Sequence, residues 1–174
     1  MKNIIYLIEF IFIKILFLIF SLIGYKNSSN FGSLIGKLIG PFFRSKSLII
    51  KNLRQAQISN KDNLEKISTN VLSNYGRIFS EYVYLKDFRN DKLKKYISIE
   101  GTEYLDEIKK KNKKVVFISG HFNNFELMAM NLEKFGINVT AIYRPLNNKY
   151  LNKTMEEIRK NFICQKLIVL VIHG

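Results

Sequence analysis

The stretch "KKVVFISGHFNNFELMAM", residues 113–130, sets two lysines before an apolar run, then a glycine, then one of only two histidines in the chain. Val115–Ser119 is a continuous β-branched and aromatic run, the pattern of a strand buried on both faces of a parallel sheet. "FELMAMNLEKF" behind it has helical spacing and is closed by Gly136. The alternation then repeats: "INVTAIY" predicts a strand, "NKYLNKTMEEIRKNF" a helix and "KLIVLVI" another strand. Strand, helix, strand, helix, strand predicts α/β order, with Val115–Ser119, Asn138–Tyr143 and Lys166–Ile172 as parallel neighbours in one sheet.

Upstream the pattern is helical. Residues 4–24, "IIYLIEFIFIKILFLIFSLIG", form the most apolar window, and about 20 such residues suffice to span a bilayer. Glu9 lies near one end of it and Lys14 in the middle, where a charge is costly. A membrane helix, spanning or half-embedded, or a buried core helix are the readings of this window; no small-x-small cleavage site of a signal peptide follows it. Before the window stand Lys2 and the amino terminus; after it come Lys26, Lys37, Arg44, Lys46, Lys51 and Arg54. That asymmetry predicts a cytoplasmic location for everything after residue 24.

"FGSLIGKLIGPFF" aligns Gly32, Gly36 and Gly40 on one helical face, which permits close helix contact, and Pro41 is expected to end that helix or open a new one. Residues 44–90 read as helices with an apolar stripe of Leu64, Ile67, Val71, Leu72, Tyr75, Ile78, Phe79 and Tyr82. "KKYISIEGTEYLDEIKKKNKK" predicts a short strand, a turn at Gly101 and a helix over 102–111. The expected fold class is α/β: an N-terminal membrane helix and a helical segment followed by a partial α/β sheet. Residues 1–26 form the anchor and 27–174 the remaining domain.

Composition narrows the function. A formal charge of +14 points to polyanions, but the abundance of Lys, Asn, Ile, Phe and Tyr is also what A/T-rich codons produce. The charges are dispersed, without the aromatic ladders of a nucleic-acid groove, so nucleic acid is not expected as a partner. Cys164 is the sole cysteine, which excludes an internal disulfide and suits a reducing compartment. One cysteine and two distant histidines assemble no metal cluster, and neither metal nor cofactor is expected.

His121 falls at the carboxyl end of the first predicted strand, where ligands bind in open α/β sheets. Asn123 and Asn124 are good residues for a turn or cap, and the helical N–H groups that follow could support a developing oxyanion. His121 and Glu126 are five residues apart and would diverge by about 140° on a regular helix. They meet only with the histidine on the loop and the glutamate in the first turn. A carboxylate on one imidazole nitrogen fixes the tautomer and raises basicity, leaving the other nitrogen to take a proton. No protein nucleophile is nearby, so a base acting on a substrate hydroxyl is the chemistry the residues suggest.

"SGHFNNFEL" resembles the glycine-histidine-phenylalanine-glycine-asparagine-tryptophan-glutamate motif of the bacterial lipid A biosynthesis (lauroyl/myristoyl) acyltransferases. The resemblance covers most of the chain: the apolar N-terminus, "RSKSLIIKNLRQAQ", "NYGRIFSEYV" before "IEGTEYL", and "YRPLNNKYLNKTMEEIR" as a second block. It implies transfer of a fatty acyl chain from acyl-carrier protein to a hydroxyl of a lipid A precursor or related glycolipid, at the cytoplasmic face of the inner membrane. It makes His121 and Glu126 the catalytic dyad. Asn124, Arg144 and Arg159 become substrate-side residues; Arg144 would stabilise the tetrahedral intermediate or bind a substrate phosphate, and surface ion pairing is the alternative for both arginines. Asn123 stands where the family has glycine, and asparagine tolerates left-handed backbone angles; Phe125 replaces tryptophan and keeps an aromatic wall. Past "IRKNFICQKL" the family pattern blurs, which reads as an N-terminal, truncated portion. Two other functions fit: an inactive, truncated membrane-bound remnant, and a glycerolipid acyltransferase. The latter has aspartate at the position of Glu126.

Overall fold

The computed structural model describes residues 2–57, 61–120, 123–164 and 166–169. It is mostly helical, with one small parallel sheet. The helices are α1 (Lys2–Leu22), α2 (Tyr25–Phe43), α3 (Lys46–Gln55), α4 (Lys61–Glu81), α5 (Leu85–Arg89), α6 (Thr102–Lys110), α7 (Glu126–Lys134) and α8 (Lys149–Phe162). The strands are β1 (Thr140–Tyr143) and β2 (Lys166–Val169). Contacts divide the chain into two compact units, one of residues 17–83 and one of residues 1–16 with 84–174, so α1 contributes to both.

Unit 17–83 is built on α2 against α4. The glycines at four-residue spacing do what the sequence predicts: Cβ atoms at Gly32 and Gly36 would strike the backbone carbonyls of Gly76 and Leu72, and one at Gly76 would strike the carbonyl of Gly32. Serines fill the seam. Ser33 and Ser73 share a hydrogen bond of 2.6 Å, and Ser29 donates to Glu81 at 2.8 Å. Arg77 donates to Ser29 and Asn30, both at 3.1 Å. Small residues and side-chain hydrogen bonds are how helices associate where apolar burial cannot drive them together. Phe20, fully buried, packs edge-on against Phe31 and Phe79.

Of the predicted α4 stripe, Leu64, Leu72, Ile78 and Tyr82 are buried, whereas Tyr75 points outward. Pro41 neither ends nor starts a helix; it lies inside α2, which runs to Phe43 and stops where Arg44 turns extended. A proline so near the end removes a single donor from the last turn.

In the other unit, α5 packs against α7 and α8 around Leu85, Phe88, Met130, Leu132, Ile163 and Cys164. Arg89 donates to the Met130 carbonyl at 3.3 Å, and Lys134 returns to the Phe88 carbonyl at 3.4 Å and to Asp91. Gly136, at φ +81°, closes α7, with Ile137 N–H donating to the Leu132 carbonyl at 3.1 Å. β1 and β2 run parallel, Thr140 opposite Lys166 and Tyr143 opposite Val169, with α8 as the crossover.

The predicted three-stranded sheet is thereby reduced. Val115–Ser119 pairs with no strand among the described residues, and Val116 and Ile118 are 87% and 92% exposed. A β-branched run supplies the propensity, but a strand exists only where a neighbouring backbone completes its ladder. The short strand expected before Gly101 is likewise absent: Lys94–Tyr96 is a 3-10 turn, and 97–100 is irregular. Residues 170–172 of the third predicted strand lie outside the described residues.

α1 is long and apolar enough to cross a membrane, and only 6% of its apolar window is buried among the described residues, unlike a core helix. The two charges within the apolar window 4–24 are both accommodated. Glu9 accepts a 2.9 Å hydrogen bond from Asn148 Nδ2, and Lys14 lies over the Phe10 ring at 5.8 Å.

Candidate active site

Glu126 is the first residue of α7, and the chain reaches it through a bend that the sequence prepares. Asn123 takes a left-handed φ of +47°, the conformation glycine or asparagine adopts most cheaply. Backbone bonds close the next turns: Phe125 N–H donates to Asn123 O at 3.0 Å, and Leu127 N–H to Asn124 O at 3.1 Å. The N-cap residue Phe125 makes no side-chain cap bond, and Asn123 serves the turn through its backbone conformation. Asn124 is buried at the mouth of this turn. His121 lies outside the described residues.

The Glu126 side chain is buried, 8% exposed, and meets Arg159 of α8. Arg159 Nε and Nη2 both donate to Glu126 Oε1, at 2.9 and 2.7 Å. Two charge-assisted donors on one oxygen fix the carboxylate against rotation. The partners lie 33 positions apart in sequence, and the β1–α8 crossover brings them together.

Arg159 is itself held. Its guanidinium lies over the Tyr143 ring, 5.6 Å from the centroid. Tyr143 O–H donates to Glu156, one turn before Arg159, and Asn152 Nδ2 donates to the same Glu156 oxygen at 2.8 Å. The Tyr143 bond comes first in holding the Glu156 carboxyl below its usual range; Glu156 in turn pushes the Tyr143 phenol up, aided by desolvation. Tyr143 and Glu156 were not singled out by sequence reasoning. The signal available was the i, i+3 spacing of Glu156 and Arg159, which puts both on one face of α8.

Arg144 follows Tyr143 at the carboxyl end of β1 and is exposed. The two arginines of the second block thus part company: Arg159 is committed to a buried carboxylate, and Arg144 stands open to solvent at the strand end. Cys164 is buried, and desolvation pushes its thiol up, which makes it a poor nucleophile.

No curated protein and no solved structure matches the chain. The sequence model of the family described as bacterial lipid A biosynthesis acyltransferase matches residues 1–167, nearly the whole length, and spans both the Glu126 turn and the Arg159 helix. By that match the chain belongs to the bacterial lipid A biosynthesis acyltransferase family.

Proposed function

We propose that this protein transfers a fatty acyl chain from the thioester of acyl-carrier protein to a hydroxyl of a lipid A precursor or related glycolipid, with His121 and Glu126 as the working pair. The observation that carries this is the buried Glu126 carboxylate, locked by Arg159 in the first turn of α7, five positions after the histidine in sequence. A fixed carboxylate beside an imidazole makes that imidazole a stronger base and defines which nitrogen is free. His121 takes the proton of the attacking hydroxyl; the new C–O bond forms as the thioester C–S bond breaks; His121 returns the proton to the leaving thiolate. Asn124 and the backbone N–H groups of residues 123 and 124 stabilise the developing oxyanion. Arg144, exposed at the end of β1, offers a guanidinium fork to a phosphate of either substrate. Arg159 acts through Glu126.

Residues 1–26 act as an anchor in the inner membrane and 27–174 as the acyltransferase part on the cytoplasmic side, in keeping with the apolar α1 and the cations that follow it. The test is an assay of membranes carrying the chain with acyl-carrier-protein thioester and a lipid A precursor, read by mass spectrometry. The wild-type chain forms acylated product, His121→Ala forms none, and Glu126→Gln is slower by roughly 10²–10⁴-fold. Product formation by His121→Ala overturns the mechanism. A folded wild-type chain that makes no product favours the second reading, a membrane-bound lipid-binding protein without turnover. Val115–Ser119, which pairs with no strand among the described residues, supports that reading.

A further inference from the structure

α2 is built inside out. Its small and polar residues Ser28, Ser29, Gly32, Ser33 and Gly36 are buried, while Leu34, Leu38, Ile39, Phe42 and Phe43 face outward. Phe42 and Phe43, at its end, are 88% and 87% exposed. A helix of a water-soluble fold turns its apolar stripe to the core; an apolar patch of this kind, left outside, marks an interaction surface.

The surrounding charge says what the surface meets. Between Glu9 and Asp62 the sequence contains no Asp or Glu, while Lys14, Lys26, Lys37, Arg44, Lys46, Lys51, Arg54 and Lys61 all stand there. Lys37 and Arg44 are exposed beside the apolar residues, and Lys51 and Arg54 are exposed on α3, the next helix. Aromatic residues at the end of an apolar face, bordered by cations along a segment without Asp or Glu, are what an interfacial helix presents to anionic lipid.

We propose that the outer face of α2, from Leu34 to Phe43, is a second membrane contact, separate from α1. Phe42 and Phe43 enter the acyl-chain boundary of an anionic leaflet, while Arg44, Lys46 and Lys51 sit among its phosphates. An acidic carrier protein would satisfy the cations but not two adjacent phenylalanines exposed over nearly their whole surface. The contact does not depend on acyl transfer, and its test needs no turnover.

The full chain, in a Cys164→Ala background, carries Phe43→Cys labelled with an environment-sensitive fluorophore, and a second preparation carries Lys110→Cys at the exposed end of α6 as reference. Both are reconstituted into phosphatidylcholine vesicles with or without phosphatidylglycerol. With phosphatidylglycerol, the label at 43 shifts to the blue and iodide quenching falls several-fold, while the label at 110 stays iodide-accessible. Adding Arg44→Gln, Lys46→Gln and Lys51→Gln restores quenching at 43, since each cation near an anionic surface strengthens attachment about five-fold. Equal iodide access at 43 and 110 overturns the proposal, as does an identical response in the two lipids. Protection of 43 by acyl-carrier protein in the absence of vesicles also overturns it and assigns the face to an acidic protein.

Discussion

Replacing Arg159 with Met tests the central geometric claim, because it removes the guanidinium while keeping most of the side-chain volume. Glu126 is then left in a site where its side chain is 8% exposed, with both Arg159 donors gone. Breaking a buried ion pair by removing one partner costs about 3–5 kcal/mol. Arg159 is 18% exposed, so water reaches part of the gap, and the lower end, about 3 kcal/mol, applies. At about 2–4 °C per kcal/mol, thermal unfolding followed by circular dichroism falls by about 6–12 °C. Glu126→Gln alone leaves a guanidinium facing a neutral amide and also destabilises. The double variant Glu126→Gln/Arg159→Met costs less than the sum of the singles by about 1–3 kcal/mol, the coupling of residues in contact. The reasoning fails if Arg159→Met costs under about 1 kcal/mol and the double variant is additive, because that is how a solvated surface pair behaves.

Gly76→Val forces a side chain into the Gly32 carbonyl and separates α2 from α4, costing about 1–3 kcal/mol or more; an unchanged denaturation midpoint would remove the close-packed seam. Asn148→Ala deletes the α8 cap, whose Oδ1 receives Tyr150 and Leu151 N–H at 3.1 and 3.3 Å, at a cost of about 1 kcal/mol. It also deletes the Nδ2 bonds to Tyr6 O and Glu9. Hydrogen exchange is therefore expected to accelerate at the Tyr150 and Leu151 amides and in the first turns of α1.

Acid and base act on one pair with opposite signs. The folded pKa of Glu156 lies below its ordinary 4.5, so its contribution is present above that pH and is lost as pH falls through the lower folded value. Tyr143 is raised above its ordinary 10.0, so its contribution is present below pH 10 and is lost as pH climbs through the higher folded value. Melting temperature is expected to be flat between these limits and to fall on both sides; in Glu156→Gln the Glu156–Tyr143 share of both slopes disappears.

Much of this was legible in the sequence because it is local. Periodicity placed α1, α6, α7 and α8 within a few residues of their ends, since each is encoded by spacing and by turn residues such as Gly101 and Gly136. Asn123 announced its left-handed turn by residue type alone. The glycine row on α2 declared a close helix contact, although only the fold showed Gly76 to be its other half.

What tertiary structure alone decided are the pairings. "VVFIS" has the composition of a buried strand, but hydrogen bonding between strands is a property of two segments, and among the described residues none pairs with it. Glu126 and Arg159 were each visible as chemistry-bearing residues, one on the histidine side and one on the substrate side. That they form one buried unit, steadied by Tyr143 and Glu156, depends on the β1–α8 crossover, which brings together residues 33 positions apart. Local spacing carries helices and turns because their bonds close within a few residues; long-range contacts are written only in the joint packing of the whole chain.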